Sequence, residues 1–269
     1  MKGRRTKTGL VLLVLVLVIS CAHVPLTGRR QLTLIPTSTM LSVSFQQYGE
    51  FIGSHQVSRD RTKADTVRRV GRGIQHSVET YFRDEGMSSE LAGYAWEFNL
   101  VESDEVNAWC MPGGKVVVYT GILPITKTEA GLAVVVGHEV AHAVARHGNE
   151  RMSQLLVAQL GGMALSEALK EKPEKARELW LTAYGLGAQL GAILPYSRLH
   201  EKEADRLGLI FMAMAGYNPN EAVAFWQRMA QMKGGAAPPE FLSTHPSDET
   251  RIREIRKSLP EAMQYYKGP

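Results

Sequence analysis

The spacing of apolar and polar residues changes several times along this 269-residue chain, and each change predicts an element. From Met40 to about Phe82 the apolar positions recur at steps of three and four, with Val67, Val70, Ile74 and Val78 on one stripe; this predicts a helix preceded by another. The stretch "YAWEFNLVES" then alternates roughly and "KVVVYTGIL" is rich in β-branched residues, so both predict strands, with Gly113-Gly114 at the bend of a hairpin. Residues 129 to about 158 return to helical spacing as one long element. Pro173, within "KEKPEK", interrupts the next helical region, because a helix interior accommodates proline only at a cost. Helices are expected again at about 175–193, 198–215 and 219–232, the last with Pro219 in its first turn. "GGAAPPEF" reads as a loop, and "SDETRIREIRKSL" as a final amphipathic helix with Ser247 as candidate N-cap. The sum is an α+β chain, mainly helical, without internal repeats.

The N-terminus follows a different pattern. "MKGRRTKTG" is basic, and Leu10–Ile19 is a ten-residue apolar run, shorter than the roughly 20 residues a membrane-spanning helix needs. Ser20 followed by Cys21 at the end of that run resembles a bacterial lipoprotein signal. The domain organisation expected from it is a signal peptide over 1–20, a lipidated, irregular tether over 21–39 beginning at Cys21, and one domain over 40–269. Four of the 31 basic residues fall in the leader, so the remainder balances the 27 acidic ones and carries no nucleic-acid footprint. A lipid-bearing Cys21 would leave Cys110 as a lone thiol, whereas without lipidation a Cys21–Cys110 bridge stays open.

Candidate chemistry concentrates in "VVVGHEVAHAVARHG", residues 134–148. Positions four apart share a helix face, so His138 and His142 can converge on one Zn²⁺. Glu139 follows the first histidine around the helix, where a carboxylate can act as base toward water beside the metal. The surrounding Val140, Ala141, Ala143 and Val144 suit a buried helix, in which two histidines and a glutamate need a reason for their polarity. Zinc needs a third protein ligand, and His147, Glu150, Glu167, Glu201, Glu203 and His245 are all candidates on spacing alone.

"HEVAH" together with "PYSRLHEKEAD" resembles the gluzincin zinc metallopeptidases (clan MA), the family of the type I CAAX prenyl endopeptidase and HtpX. "PLTGRRQL", "NAWCMPGGKVVVYTGIL" and "STHPSDETR" resemble its periplasmic BepA- and LoiP-like lipoprotein members. The resemblance implies a zincin-like domain with a small, edge-exposed sheet beside the HExxH helix, and one zinc per chain. It implies Glu201 as third ligand, Asp205 as the group that orients a ligand histidine, and Asn107 and Ala108 on a substrate groove along "KVVVYTG" as edge strand. It also implies a catalytic or regulatory His245, able to cap the metal or to stabilise an oxyanion. Tyr196 and Arg251 fall in the shared motifs with roles left open.

The function expected on these grounds is a membrane-anchored periplasmic zinc metalloendopeptidase that cleaves unfolded or misassembled envelope proteins. It would be held by its N-terminal lipid on the periplasmic side of a bacterial membrane, the outer one because Ala22 is not aspartate. The alternative from another class is an envelope chaperone or interaction lipoprotein with a latched, structural zinc. A zinc enzyme acting on peptidoglycan or small amides would share the ligands but need a closed pocket.

Overall fold

The computed structural model describes residues 21–189, 193–232, 240–245 and 249–268. The leader over 1–20, most of "GGAAPPEF" and the candidate cap Ser247 lie outside them. The chain forms two compact units. One joins the N-terminal residues up to Met40 with Arg146–Arg198; the other joins Leu41–Ala145 with Leu199–Pro269.

In chain order the elements are β1 (Cys21–His23), β2 (Arg30–Leu32), α1 (Thr37–Ser54), α2 (Arg61–Asp84), β3 (Glu97–Val101), β4 (Ala108–Met111) and β5 (Lys115–Tyr119). There follow α3 (Leu123–Thr126), α4 (Glu129–Val144), α5 (His147–Ala168), α6 (Glu174–Ala188), α7 (Leu194–Met214), α8 (Glu221–Gln231), α9 (Glu240–Thr244) and α10 (Glu249–Ala262). Domain boundaries at 20 and 39 remain a proposal. The segment expected to be an irregular tether instead contains a two-stranded antiparallel pairing, Cys21 opposite Leu32 and His23 opposite Arg30. Three-residue strands are too short to show a period in sequence.

The second unit holds the core. Asp60 caps α2, its carboxylate accepting from the Lys63 N–H at 3.1 Å, and the predicted stripe Val67, Val70, Ile74, Val78 is fully buried against α4 and β3. Gly113 and Gly114 take φ of 87° and 82° at the β4–β5 turn, a backbone region that favours glycine.

The sheet order is β3-β5-β4, with β3 parallel and β4 antiparallel to β5. "KVVVY" is therefore the central strand, which corrects the expectation that it forms the edge. Val116, Val117 and Val118 are all fully buried, as a strand covered on both faces requires. The outer side of β3 is partly occupied, with Ser58 N–H donating to Leu100 O and Glu102 N–H to Gln56 O, each at 2.8 Å. β4, which carries Ala108 just after Asn107, is the edge that lies along α4.

The single long helix expected over 129–158 is two. Arg146 adopts a left-handed φ of 59°, ends the run of α4, and α5 starts at His147.

Candidate metal centre

The centre is built from α4, α7, the turn after α9 and the first turn of α10. α4 begins with Thr128 as N-cap, its hydroxyl accepting from the Gly131 N–H at 3.1 Å, and buries thirteen residues of its sixteen. It crosses α7 at two glycines: a Cβ on Gly137 would come within 2.9 Å of Gly208 O, and one on Gly208 within 2.9 Å of His138 N. Only glycines permit backbones this close, and the approach carries Glu201, two turns before Gly208, to the histidines of α4. Gly208→Val is expected to force the helices apart, destabilise the fold by about 1–3 kcal/mol as overpacking does and weaken metal retention. Thermal melting with zinc content checks both, and a variant matching wild type in each would refute the close-packing role.

His138, His142, Glu201 and His245 each direct one donor atom to a common point, all within 4.8 Å of one another. His138 Nε2 lies 3.0 Å from His142 Nε2 and 3.1 Å from His245 Nδ1. Glu201 Oε2 is 3.3 Å from His138 Nε2, and Oε1 is 3.2 Å from His142 Nε2. His245 Nδ1 is 3.0 Å from both Glu201 oxygens. Donors bound tetrahedrally at about 2.0–2.1 Å would sit roughly 3.3 Å apart, close to these spacings.

Protein groups alone do not satisfy this arrangement. His138 Nε2 faces two imidazole nitrogens and a carboxylate oxygen with at most one proton to offer, because His138 Nδ1 is already committed to Asp205 Oδ1 at 3.0 Å. The remaining contacts set lone pair against lone pair, which a cation at their centre would resolve. Burial opposes charge on His138, yet the carboxylates of Asp205 and Glu201 overcome it and raise its pKa to about 9. Glu201, despite burial, is held far below the carboxylate range by hydrogen bonds with the three histidines. Burial pushes His245 down to about 3, so its ring is neutral with a lone pair to give. This donor set of three imidazoles and one carboxylate fits zinc.

Glu139 is buried beside the cluster. Its Oε1 has no hydrogen-bond partner, although His245 Nε2 lies 3.4 Å away. Burial, reinforced by the negative charge of Glu201, raises its pKa to about 8. An unsatisfied buried carboxylate oxygen costs stability, and this one persists next to the donor cluster.

Arg251, whose role the sequence left open, organises the far side. Its guanidinium donates from Nε and Nη2 to Asp205 at 2.9 and 2.7 Å, pairs through Nη1 with Glu201 Oε2 at 3.0 Å, and stacks 3.5 Å over the Trp226 ring. Trp226 was not singled out from sequence, nor were Gly137 and Gly208; an aromatic on the buried stripe of α8 gives no signal of its neighbours. The Tyr196 side chain lies outside the described residues.

The other candidate ligands go elsewhere. Arg29 binds Glu150 through two hydrogen bonds of 3.0 and 2.7 Å, Glu167 pairs with Lys170, and His147 and Glu203 are buried outside the cluster. Asn107 and Ala108 stand at the start of the β4 edge. Tyr119 N–H donates to Asn107 O at 3.1 Å, so antiparallel alternation turns the main chain of Ala108 and Cys110 away from β5. Asn107 Oδ1 accepts from the Ala108 N–H at 2.9 Å. Val106 O, on the same outward side, accepts from Phe241 N–H at 3.2 Å, and Phe241 O accepts from His245 N–H at 2.8 Å.

A helix bearing HExxH, a glutamate from a later helix and a small sheet alongside define a zincin-like metallopeptidase domain. The profile of Peptidase family M48 matches residues 71–259, and the chain belongs to that family of hydrolases. It is similar to the mitochondrial metalloendopeptidase OMA1 of Schizosaccharomyces pombe, 33% identical over 248 residues that make up 90% of this chain and 67% of that one. OMA1 of Saccharomyces cerevisiae is 35% identical over 203 residues, 70% of this chain and 54% of its own. The β-barrel assembly-enhancing protease of Yersinia pestis is 32% identical over 165 residues, 60% of this chain and 34% of its own. The chain thus spans between about a third and two thirds of the length of these curated relatives.

These matches overturn the expected localisation. Relatives named as mitochondrial cover more of the chain than the β-barrel assembly-enhancing protease, so a bacterial periplasmic, outer-membrane lipoprotein does not stand. Basic residues before an apolar run mark an export or targeting signal without naming the compartment. Cys21 is described only as the first residue of β1, paired with Leu32.

Proposed function

We propose that the chain is a zinc-dependent metalloendopeptidase that cleaves unfolded or misassembled proteins, with His138, His142 and Glu201 as ligands and Glu139 as general base. The observation that carries this is the convergence of these donor atoms beside the buried, unsatisfied Glu139 oxygen. Zinc held there would supply Lewis-acid polarisation of the scissile carbonyl.

The protein's own part is positional. Asp205, fixed by the Arg251 fork, accepts from His138 Nδ1–H and so turns the Nε2 lone pair toward the centre. Glu139 in its ionised form, made the stronger base by burial, takes a proton from the attacking water and returns it to the leaving amine. The outward-facing backbone of Ala108 and Cys110 on β4, where the Asn107 side chain occupies the Ala108 N–H, allows an extended chain to add as a further strand. Recognition through main-chain hydrogen bonds favours unfolded segments over folded ones, because only the former can present a free strand.

His245 fills the fourth corner of the donor set, so hydrolysis requires it to leave. The same contact supports the second reading, a latched site in a chaperone or interaction protein. Casein hydrolysis with zinc content assayed on each sample separates them. His245→Ala is expected to retain zinc and cut casein several times faster than wild type. A zinc-loaded His245→Ala that cuts more slowly would instead assign the ring to oxyanion stabilisation, and no cleavage by either protein would favour the second reading.

A further inference from the structure

The first unit contains a helical hairpin whose surface is at odds with water. Among the described residues, nine of the thirteen exposed large hydrophobic side chains lie on α5 and α6, among them Leu155, Leu160, Met163, Leu179, Trp180 and Leu186. α6 buries no residue at all, and α5 buries none beyond its first two turns.

The distribution of charge is as telling as the apolarity. Residues 152–166 on α5 and 179–188 on α6 contain no Asp, Glu, Lys or Arg. The charges gather at Glu150 and Arg151 on one side of this band and over Glu167–Glu178 on the other. At 100° per residue, Leu155, Leu156, Val157, Leu160 and Met163 spread over more than half of the α5 circumference. The remaining arc, with Ala158, Gly161 and Gly162, is taken by α6, where Tyr184 Oη donates to Ala158 O at 2.9 Å. A helix prepared for a protein partner shows one apolar stripe and a charged back; within the band this one carries no charge anywhere on its exposed circumference, which is apolar but for Gln159, as on a lipid-immersed helix.

The band is too short to cross a bilayer. Fifteen residues at 1.5 Å each reach about 22 Å against a hydrocarbon thickness of about 30 Å. No helix among the described residues is long and apolar enough to cross a membrane. The hairpin would therefore lie lengthwise at the level of the upper acyl chains, its charged ends among the headgroups. A further observation points the same way: the apolar run Leu10–Ile19, preceded by basic residues, leads directly into β1 of this same unit. β2 packs on α5, with Ser153 Oγ accepting from the Leu34 N–H at 2.9 Å and Glu150 bound to Arg29, so the segment that follows the apolar run in sequence is fixed to the hairpin.

We propose that the α5–α6 hairpin is a membrane-docking surface that inserts its uncharged band into the outer part of a lipid bilayer. Residues 167–178 carry Lys170, Lys172, Lys175 and Arg177 against Glu167, Glu171, Glu174 and Glu178. That balance makes docking a matter of apolar burial, with little dependence on anionic lipid.

The test uses the full chain with phosphatidylcholine vesicles carrying nitroxide-labelled acyl chains. Trp180 is the reporter, isolated by subtracting the emission of Trp180→Phe from wild type. The expected result is a blue-shifted Trp180 emission quenched by the labelled lipid, unchanged when a fraction of the lipid is phosphatidylserine. In Met163→Gln/Leu179→Gln/Leu186→Gln, whose substitutions sit at exposed positions and keep good helix formers, the quenching is expected to be lost while circular dichroism stays the same. Trp180 emission that remains water-like and unquenched in the presence of vesicles overturns the proposal. So does protection of Trp180 that depends on protein concentration without lipid, which would assign the surface to a second copy, or protection only by added unfolded casein, which would assign it to a client chain.

Discussion

Glu139→Gln is expected to abolish casein cleavage while leaving zinc content and the thermal melt at wild-type values. The substitution keeps the shape and hydrogen-bonding capacity of the side chain but removes the proton acceptor. General acid–base catalysis is worth about 10²–10⁴-fold, and a residue that both receives and returns the proton stands at the upper end. Stability should hold, because Glu139 Oε1 makes no hydrogen bond that the amide would lose. Loss of both zinc and fold in this variant would show that Glu139 supports the site structurally and would withdraw it from the chemistry.

Glu201→Gln is expected to have the broadest consequences. Glu201 lies 3.0–3.3 Å from ring nitrogens of three histidines and pairs with Arg251, so the amide removes the charge on which a cation and the guanidinium depend. Orienting groups outside the ligand set typically cost 10–100-fold in metal affinity, and a ligand should exceed about 100-fold. Because metal bound only to the folded state adds to its stability, a chelator should lower the melting temperature of wild type and leave that of Glu201→Gln unchanged at an already lower value. A variant that responds to chelator as wild type does would remove Glu201 from the ligand set.

The parts of this architecture that were legible in sequence are those whose cause is local. His138, Glu139 and His142 are joined by the pitch of a single helix, and the stripe Val67, Val70, Ile74, Val78 by the pitch of another. Glu201 was not reachable by spacing, since 59 residues separate it from His142 and several other acids and histidines competed; only the "EKEAD" motif singled it out. Arg251 stood in a noticed motif, yet its fork onto Asp205 and its stacking on Trp226 exist only once α7, α8 and α10 meet. The resemblance implied "KVVVYTG" as an edge strand, whereas β5 is the central one. The unbroken run Val116–Val118 was the available signal, as continuous apolarity marks a strand buried on both faces. The break at Arg146 had no proline to announce it, only a left-handed residue in a helix-compatible context.

The edge and the His245 segment are joined by one thread. Phe241, fully buried and stacked on Trp226 at 5.8 Å between ring centroids, bonds Val106 just before the edge and accepts from the His245 N–H. An extended chain adding along β4 would meet this contact as it approached the metal centre, so strand addition and departure of His245 draw on the same hydrogen bonds.

The proposed hydrolysis depends on a single metal held by residues from two helices, and elemental analysis of purified wild type and Glu201→Gln, each dialysed under identical conditions, tests that most directly. The prediction is one zinc per wild-type chain and next to none in the variant. Equal occupancy in both would contradict the convergence of α4 and α7 on the metal, and with it the hydrolytic function proposed for this site.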